Sequence, residues 1–185
     1  MRIITGKYKG RHFDIPRTFK ARPTTDFAKE NIFNVLNAYV DYDDTRALDL
    51  FAGTGSISLE LLSRGCEHVV SVELDRDHAA FISQCIGKIG AENHTLIRTD
   101  VLRFIKSHMQ PFDLIFADPP YQLPELHTLP DRIINSGLLS PHGLLVFEHG
   151  AKDSFTDHPC FLEHRAYGSV NFSLFRLPDE TATND

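Results

Sequence analysis

From residue 46 onward the chain alternates short apolar runs with longer amphipathic segments. The apolar runs have the length and residue types of strands: Arg46–Phe51, His68–Val72, Thr95–Arg98, Phe112–Ala117 and Gly143–Glu148. The segments between them have helical spacing: Ser56–Arg64, Asp75–Ile89, Val101–His108 and Pro130–Ser136. Strands this apolar, separated by helices, are typical of parallel sheets covered on both faces. The pattern predicts an α/β fold with a doubly wound, mostly parallel sheet.

The N-terminal end departs from this alternation. Residues 2–15 have the pattern of a β-hairpin, with strands at Arg2–Thr5 and Arg11–Ile15. A helix should follow, because a set of apolar residues falls on one helical face: Ala28, Ile32, Val35, Leu36 and Tyr39. The candidate N-caps of this helix are Thr24, Thr25 and Asp26.

The C-terminal end also departs from it. Phe161–Tyr167 and Val170–Leu177 flank a Gly-Ser pair, so they should form an antiparallel hairpin. We therefore predict three parts: a basic β-hairpin extension at residues 1–22, an α/β domain at residues 23–178 and a tail at residues 179–185.

The composition fits one globular domain, with 185 residues of which 42% are hydrophobic and 24% charged. No apolar run approaches the roughly 20 residues needed to cross a bilayer, and the polar N-terminus lacks the apolar core of a secretory signal. Three scattered cysteines indicate a reducing compartment, so we expect a cytoplasmic protein. The spacing of His158, Cys160 and His164 is not that of a zinc site, and we expect no metal.

The net charge of −6 is unevenly distributed along the chain. Residues 1–29 hold eight basic and two acidic side chains, a charge of +6, whereas the remainder carries −12. A basic arm on an acidic body is a plausible footprint for phosphate groups. The alternative is a solvated hairpin whose lysines only protect a strand edge from aggregation.

A glycine-rich loop, Asp49–Gly55, follows the first strand of the predicted sheet. Glycines there let the backbone turn tightly and approach a ligand. Glu73, at the end of the second strand, is placed to accept hydrogen bonds from ribose hydroxyls. The third small residue of the dinucleotide fingerprint is replaced by Ser58, and Asp49 could bind a cationic amino group. This combination favours S-adenosylmethionine over a pyrophosphate cofactor.

Asp100 closes the third strand and could accept a hydrogen bond from an adenine amine. The alternative for the whole loop is a strand–turn–helix connection whose glycines and carboxylates serve only to cap helix ends.

The tetrapeptide Asp118-Pro119-Pro120-Tyr121 follows the apolar strand Phe112–Ala117, at the sheet edge where ligands of open α/β folds bind. An exocyclic base amine is a poor nucleophile because its lone pair is delocalised into the ring. Asp118 and the Pro119 carbonyl could accept hydrogen bonds from the two N–H groups of the amine, while consecutive prolines keep these acceptors in place. Tyr121 offers a face for a flipped base. The alternative is a rigid turn started by an aspartate.

These residues resemble those of the bacterial 16S rRNA guanine-N2 methyltransferases, from Arg2 to about Leu177. The blocks that carry the resemblance are Arg2-Ile3-Ile4-x-Gly6-Lys7-x-Lys9-Gly10-Arg11, Arg22-Pro23-Thr24-Thr25-Asp26 with Glu30 and Phe33-Asn34, Asp49–Gly55, and Asp118–Tyr121. The sequence departs from the usual pattern of that family at Phe27, where a basic residue is usual, and at Lys29, where arginine is common.

The resemblance implies a seven-stranded class I methyltransferase fold with an RNA-binding hairpin. It also implies methylation of one guanine on N2 in 16S rRNA, within the small ribosomal subunit or its assembly intermediate, by a monomer that uses S-adenosyl-L-methionine. The expected cofactor-binding residues are Thr25, Asp49, Phe51, Gly53, Gly55, Glu73, Leu74, Asp100 and Val101. The expected base-binding catalytic residues are Asp118, Pro119, Pro120 and Tyr121. The expected RNA contacts are Arg2, Lys7, Lys9, Arg11 and Arg22.

Three alternative functions stay open. An N6-adenine methyltransferase acting on DNA would normally need a separate target-recognition region, for which the chain has no room. A protein-glutamine N5 methyltransferase would not need the basic hairpin. A non-catalytic RNA-binding assembly factor would not need an intact Asp118 or the glycine loop.

Overall fold

The computed structural model describes residues 1–20, 24–107 and 110–178. Its seven strands form one sheet in the order β3-β2-β1-β4-β5-β7-β6. The strands are β1 (Arg46–Leu50), β2 (His68–Val72), β3 (His94–Ile97), β4 (Phe112–Ala117), β5 (Leu139–His149), β6 (Phe161–Tyr167) and β7 (Val170–Arg176). The neighbouring pairs β3–β2, β2–β1, β1–β4 and β4–β5 are parallel, whereas β7 pairs antiparallel with both β5 and β6. The mostly parallel sheet and the C-terminal hairpin are confirmed.

In the part of the chain that the structure describes, five α-helices cover the two faces of this sheet. They are α1 (Asp26–Leu36), α2 (Ser56–Arg64), α3 (Arg76–Ile89), α4 (Val101–Ser107) and α5 (Leu129–Asn135). Alternate strand residues belong to different cores, as in β1, where Ala47 packs with α1 to α3 and Leu48 packs with α4 and α5. This alternation follows from the two-residue repeat of a strand, and it explains why the central strands are apolar throughout.

β5 is longer than predicted. The sequence pattern indicated a strand from Gly143, but the structure begins it at Leu139. Pro141 and Gly143 are ordinarily turn signals. The strand passes them through an irregularity opposite the start of β4, where the pairing register shifts and His142 adopts a φ of 64°.

The N-terminal hairpin forms, although its ladder is reduced to one antiparallel bridge between Arg2 and His12. The backbone N–H groups of Ile4 and Thr5 donate to the Glu60 carboxylate of α2, at 2.8 and 3.0 Å, which leaves them unavailable for a strand ladder. Ile3 is buried in the core shared with α1 to α3. The hairpin is therefore packed against the α/β domain through both polar and apolar contacts.

Gly6 allows the hairpin to approach α2 closely. Its φ is 90°, and a Cβ atom there would lie 1.8 Å from the Ser63 carbonyl oxygen. The Ser63 side chain in turn accepts a hydrogen bond from the Tyr8 N–H at 2.9 Å and donates to the Thr5 carbonyl at 2.6 Å. Only glycine fits this position without displacing the hairpin.

Candidate active site

A cavity of about 1230 Å³ opens at the carboxyl ends of β1, β2, β4 and β5. The residues that line it come from six segments: Lys20, Thr24, Asp49, Phe51, Ala52, Gly53, Thr54, Ser56, Ile57, Glu73, Leu74, Asp75, His78, Asp100, Val101, Asp118, Pro119, Pro120, Tyr121, Gln122, Leu123 and Glu148. The glycine loop and the Asp-Pro-Pro-Tyr turn, which lie 62 residues or more apart in sequence, therefore face one space. Ligands of open α/β sheets bind at this edge.

The glycine loop connects β1 to α2 with three left-handed residues. Phe51, Gly53 and Gly55 have φ values of 62°, 55° and 77°. A Cβ atom on Gly55 would lie 2.9 Å from the Ile82 side chain of α3, so this glycine also permits close helix packing. Phe51 and Gly53 line the cavity.

Glu73 holds the glycine loop in place. One carboxylate oxygen accepts the Gly53 N–H at 2.6 Å, and the other accepts the Asp75 N–H at 2.8 Å. A carboxylate offers about four acceptor positions, so these two bonds leave capacity for further donors from the cavity. The side chain therefore orders the loop and can also bind a ligand hydroxyl.

Asp49 is almost completely buried and is held by Ser58. One of its oxygens accepts from the Ser58 N–H at 3.0 Å and from the Ser58 hydroxyl at 2.6 Å. Burial raises the pKa of Asp49 to about 7. Ser58 occupies the place where a dinucleotide-binding loop needs a small apolar residue, and here its hydroxyl orients the cavity carboxylate instead.

Asp100 has two roles in the structure. Its carboxylate accepts the Arg103 N–H at 3.0 Å and so caps α4, and the residue also lines the cavity. Val101 and Leu74 line the same part, with Leu74 61% exposed. Thr25 does not line the cavity. It is the N-cap of α1, as one of the sequence predictions had it, and its neighbour Thr24 reaches the cavity instead.

The Asp-Pro-Pro-Tyr turn continues directly from β4. The Asp118 N–H donates to the Leu50 carbonyl at 3.3 Å, which extends the pairing of β4 with β1. Pro119 is buried, whereas Pro120 is exposed and the Tyr121 ring is 43% exposed. The Tyr121 ring packs near Gly150, and its hydroxyl donates to Glu148 at 2.9 Å.

Glu148 is a cavity residue that the sequence analysis did not select. It is 5% exposed and lies at the end of β5. Ala117 pairs with Phe147 across β4 and β5, so the next residues, Asp118 and Glu148, sit side by side. The available signal was its position at the carboxyl end of the strand predicted after the tetrapeptide.

Asp118, which is half-buried, and Glu148, which is buried, form an acidic pair. Burial, then the Glu148 charge and then the Asp49 charge raise the pKa of Asp118 well above its ordinary value. Burial also raises the pKa of Glu148, but hydrogen bonds from Tyr121 and Thr24 oppose that rise. The two carboxyl groups therefore lie in hydrogen-bond contact and share a proton, which the pair holds to a higher pH than an isolated carboxyl group does.

Gly55, predicted to bind the cofactor, and the predicted RNA contacts within the described residues do not line the cavity. Lys7, Lys9 and Arg11 are exposed on the hairpin. Arg2 is half-exposed and pairs with Asp26 at 3.2 Å. Arg22 lies outside the described residues. Within residues 1–20, 24–107 and 110–178, no group of three or more His, Cys, Asp or Glu side chains could bind a metal, and no helix is long and apolar enough to span a membrane.

The sequence model of the family described as "Conserved hypothetical protein 95" matches residues 1–176. The chain belongs to this family. The ribosomal RNA small subunit methyltransferase D of Haemophilus influenzae is 31% identical over 183 residues, covering 95% of this chain and 93% of that protein. The Escherichia coli K12 protein of the same name is 27% identical over 179 residues, covering 95% and 89%. The resemblance noted in the sequence is confirmed.

A solved structure of a similar protein supports the fold. A hypothetical protein of Thermus thermophilus superposes with a TM-score of 0.83 at 28% identity, covering 96% of this chain and 99% of that one. The class I methyltransferase fold predicted from the sequence is confirmed.

The two departures from the family pattern differ in their surroundings. Lys29 is buried, and its ammonium donates to the Arg2 carbonyl at 2.6 Å and to the Ser56 hydroxyl at 3.0 Å. Burial lowers its pKa. Phe27 is 64% exposed and meets the Tyr167 ring edge-on, with centroids 6.2 Å apart. The side chain at position 29 therefore supports the hairpin from inside, whereas the one at position 27 faces solvent.

Proposed function

We propose that this protein transfers a methyl group from S-adenosylmethionine to the exocyclic N2 of a guanine in 16S rRNA, acting in the cytoplasm as a monomer on the small ribosomal subunit or its assembly intermediate. The observation that carries the proposal is the meeting of the glycine loop and the Asp-Pro-Pro-Tyr turn in one cavity. The names of the Haemophilus and Escherichia coli relatives support an rRNA substrate.

The cofactor half of the cavity suits a cationic nucleoside. Carboxylates at the ends of β1, β2 and after β3 line it, namely Asp49, Glu73 and Asp100. They would attract an amino group and accept ribose or adenine hydrogen bonds, whereas they would repel a pyrophosphate. Gly53, a left-handed glycine, adds no Cβ atom to this wall. S-Adenosylmethionine, when bound, supplies a methyl group activated by its sulfonium.

The base half of the cavity suits an exocyclic amine. Asp118 and the Pro119 carbonyl would accept hydrogen bonds from the two N–H groups of the amine. The proline pair fixes the direction of both acceptors. Asp118 must be ionised for this role, so its shared proton has to leave when the base enters. Tyr121 would stack on the base, because its hydroxyl bond to Glu148 fixes the ring.

The hairpin would bind the RNA backbone. Lys7, Lys9 and Arg11 are exposed, and the hairpin that carries them is fixed to α2 by buried contacts. A rigid basic surface loses less conformational entropy on binding phosphates than a flexible tail does.

The test is a transfer assay with labelled cofactor on three substrates: undermethylated small ribosomal subunits, duplex DNA and a translation release factor. We expect label in 16S rRNA, and nucleoside analysis should identify it as N2-methylguanosine. Label found only on DNA or only on the protein substrate would overturn the proposal. Mass mapping of rRNA from cells that lack the protein should show the loss of one N2-methylguanosine.

A further inference from the structure

Glu148 occupies an unusual position for a buried carboxylate. Among the described residues, the charged groups that act on Glu148 and its neighbour are carboxyl groups: Asp118 lies beside Glu148, and the Asp49 charge raises the pKa of Asp118. Its partners are two hydroxyl groups: Tyr121 donates to one oxygen at 2.9 Å, and Thr24 donates to the other at 3.2 Å. Both donors line the cavity, as does Glu148 itself. A buried carboxylate without a neighbouring cation does not stabilise the fold. Its presence in a cavity therefore points to contact with a ligand.

The two hydroxyl groups fix the carboxylate without using all of its acceptor capacity. Each oxygen has two lone-pair positions, and each accepts one of these bonds. Thr24 comes from the segment before α1, and Tyr121 comes from the turn after β4. The carboxylate is therefore held from both sides, next to the aspartate that would bind the amine.

Guanine can donate hydrogen bonds from its Watson–Crick edge to two adjacent carboxylates, whereas other bases with a similar amine can donate to only one. On its Watson–Crick edge the N1–H lies beside the N2 amine, so two neighbouring donors point in nearly the same direction. Adenine and 2-aminopurine present an unprotonated N1 next to their amines. A carboxylate facing that nitrogen would meet a lone pair instead of a hydrogen.

We infer that Glu148 is a base-recognition residue that accepts the N1–H of guanine while Asp118 accepts an N–H of the adjacent amine. This inference rests on the proposed function and adds the source of its base specificity. When guanine enters, its two donors replace the single proton that Asp118 shares with Glu148, and that proton passes to water. Tyr121 and Thr24 act as positioning residues for the Glu148 carboxylate.

The experiment compares guanine with 2-aminopurine at the methylated position of the RNA, because both bases carry the amine at C2, whereas 2-aminopurine lacks the N1 hydrogen and the C6 carbonyl oxygen of guanine. For the unmodified protein we expect kcat/KM to favour guanine by about tenfold to a hundredfold. In Glu148→Gln the amide can turn and donate to an unprotonated N1. We therefore expect the preference to fall by about tenfold or more, with the affinity for S-adenosylmethionine unchanged.

A second variant covers the case in which Glu148→Gln does not fold. Thr24→Val removes one hydroxyl that orients Glu148, and it lies on a half-exposed segment. We expect it to lower the preference for guanine by about twofold to tenfold, the effect of one hydrogen bond. An unchanged preference in a folded Glu148→Gln variant would overturn the inference and leave the proposed function standing. Failure of the unmodified protein to methylate guanine in RNA would overturn both.

Discussion

Two glutamates of this protein are buried to a similar depth in opposite electrostatic surroundings. Glu60 on α2 accepts two backbone N–H groups of the hairpin and pairs with Arg64 at 3.0 Å and with Lys29 at 3.8 Å. Glu148 at the end of β5 has hydroxyl donors and lies against a second carboxyl group, Asp118.

The difference in surroundings distinguishes a buried charge that stabilises the fold from one that is available to a ligand. A buried carboxylate surrounded by cations and N–H donors is compensated, and it fixes the elements that supply those donors. A buried carboxyl pair without a cation keeps a proton that a ligand can displace, so it costs stability in the free protein. The Glu60 cluster thus holds the hairpin, whereas the acidic pair is, in our proposal, the site that binds a base.

The largest effect should come from Asp118. We expect Asp118→Ala to lower methyl transfer to small ribosomal subunits by about a thousandfold, because removal of one oriented acceptor weakens transition-state stabilisation. Binding of S-adenosylmethionine, measured by calorimetry, should be nearly unchanged, since the residues that contact it in our proposal lie on β1, β2 and the β3–α4 connection. Turnover at the original rate would remove Asp118 from the mechanism.

The second effect concerns the compensated cluster. Glu60→Gln should lower the free energy of unfolding by about 3 kcal/mol, because it leaves the Lys29 ammonium buried without its counter-charge. Urea denaturation measures this change. Glu67→Gln, at an exposed position just after α2, is the matched control and should leave the unfolding midpoint nearly unchanged. Equal midpoints for the two variants would contradict the structural role of Glu60.

Most of the sheet could be predicted from the sequence, because apolar runs flanked by glycine caps are local signals. β2, β4, α2 and β6 have the predicted bounds. The start of β5 was missed because Pro141 and Gly143 act locally as turn residues, whereas the pairing with β4 accommodates them. The hairpin strands were overestimated because their N–H groups bind a glutamate 55 or 56 residues away.

In the candidate site, too, features with a local sequence signal could be predicted, whereas features that depend on distant contacts could not. The glycine loop and the Asp-Pro-Pro-Tyr turn were recognisable because each is a contiguous segment whose chemistry depends on its own residues. Glu148 was missed, since a single glutamate has no local signature and its position depends on the register of β4 with β5. Likewise Glu60 looked like any helix residue until the hairpin was placed on α2.

A third, smaller effect tests the uncompensated pair. Glu148→Gln should raise the free energy of unfolding at neutral pH by on the order of 1 kcal/mol, because it removes a buried carboxylate whose charge no cation among the described residues compensates. The folded-state pKa of both carboxyl groups is raised, so the folded protein binds more protons than the unfolded chain once pH exceeds about 4. The contribution of this pair to wild-type stability should therefore decline as pH rises from about 4 toward neutrality.

The difference between variant and wild type should accordingly be small at pH 4 and grow with pH. Thermal unfolding over this pH range measures it. Asp113→Asn, on the exposed start of β4, is a control in which no such pH-dependent gain is expected. A variant less stable than wild type at pH 7 would show that Glu148, like Glu60, is a structural charge.

The smallest effect should come from the surface that the Glu60 cluster supports. Lys7→Gln and Lys9→Gln should each weaken binding of small-subunit RNA only a few-fold, because one phosphate contact contributes modestly. Each should also reduce the slope of log affinity against log salt by about 1. Lys106→Gln is the control, since α4 packs on the opposite face of the sheet from the hairpin. If binding is salt-independent, or if the three variants behave alike, the hairpin is not the RNA-binding surface. A few-fold loss in the lysine variants with unchanged unfolding would show that the buried charges of this region maintain the fold while its exposed charges contact RNA.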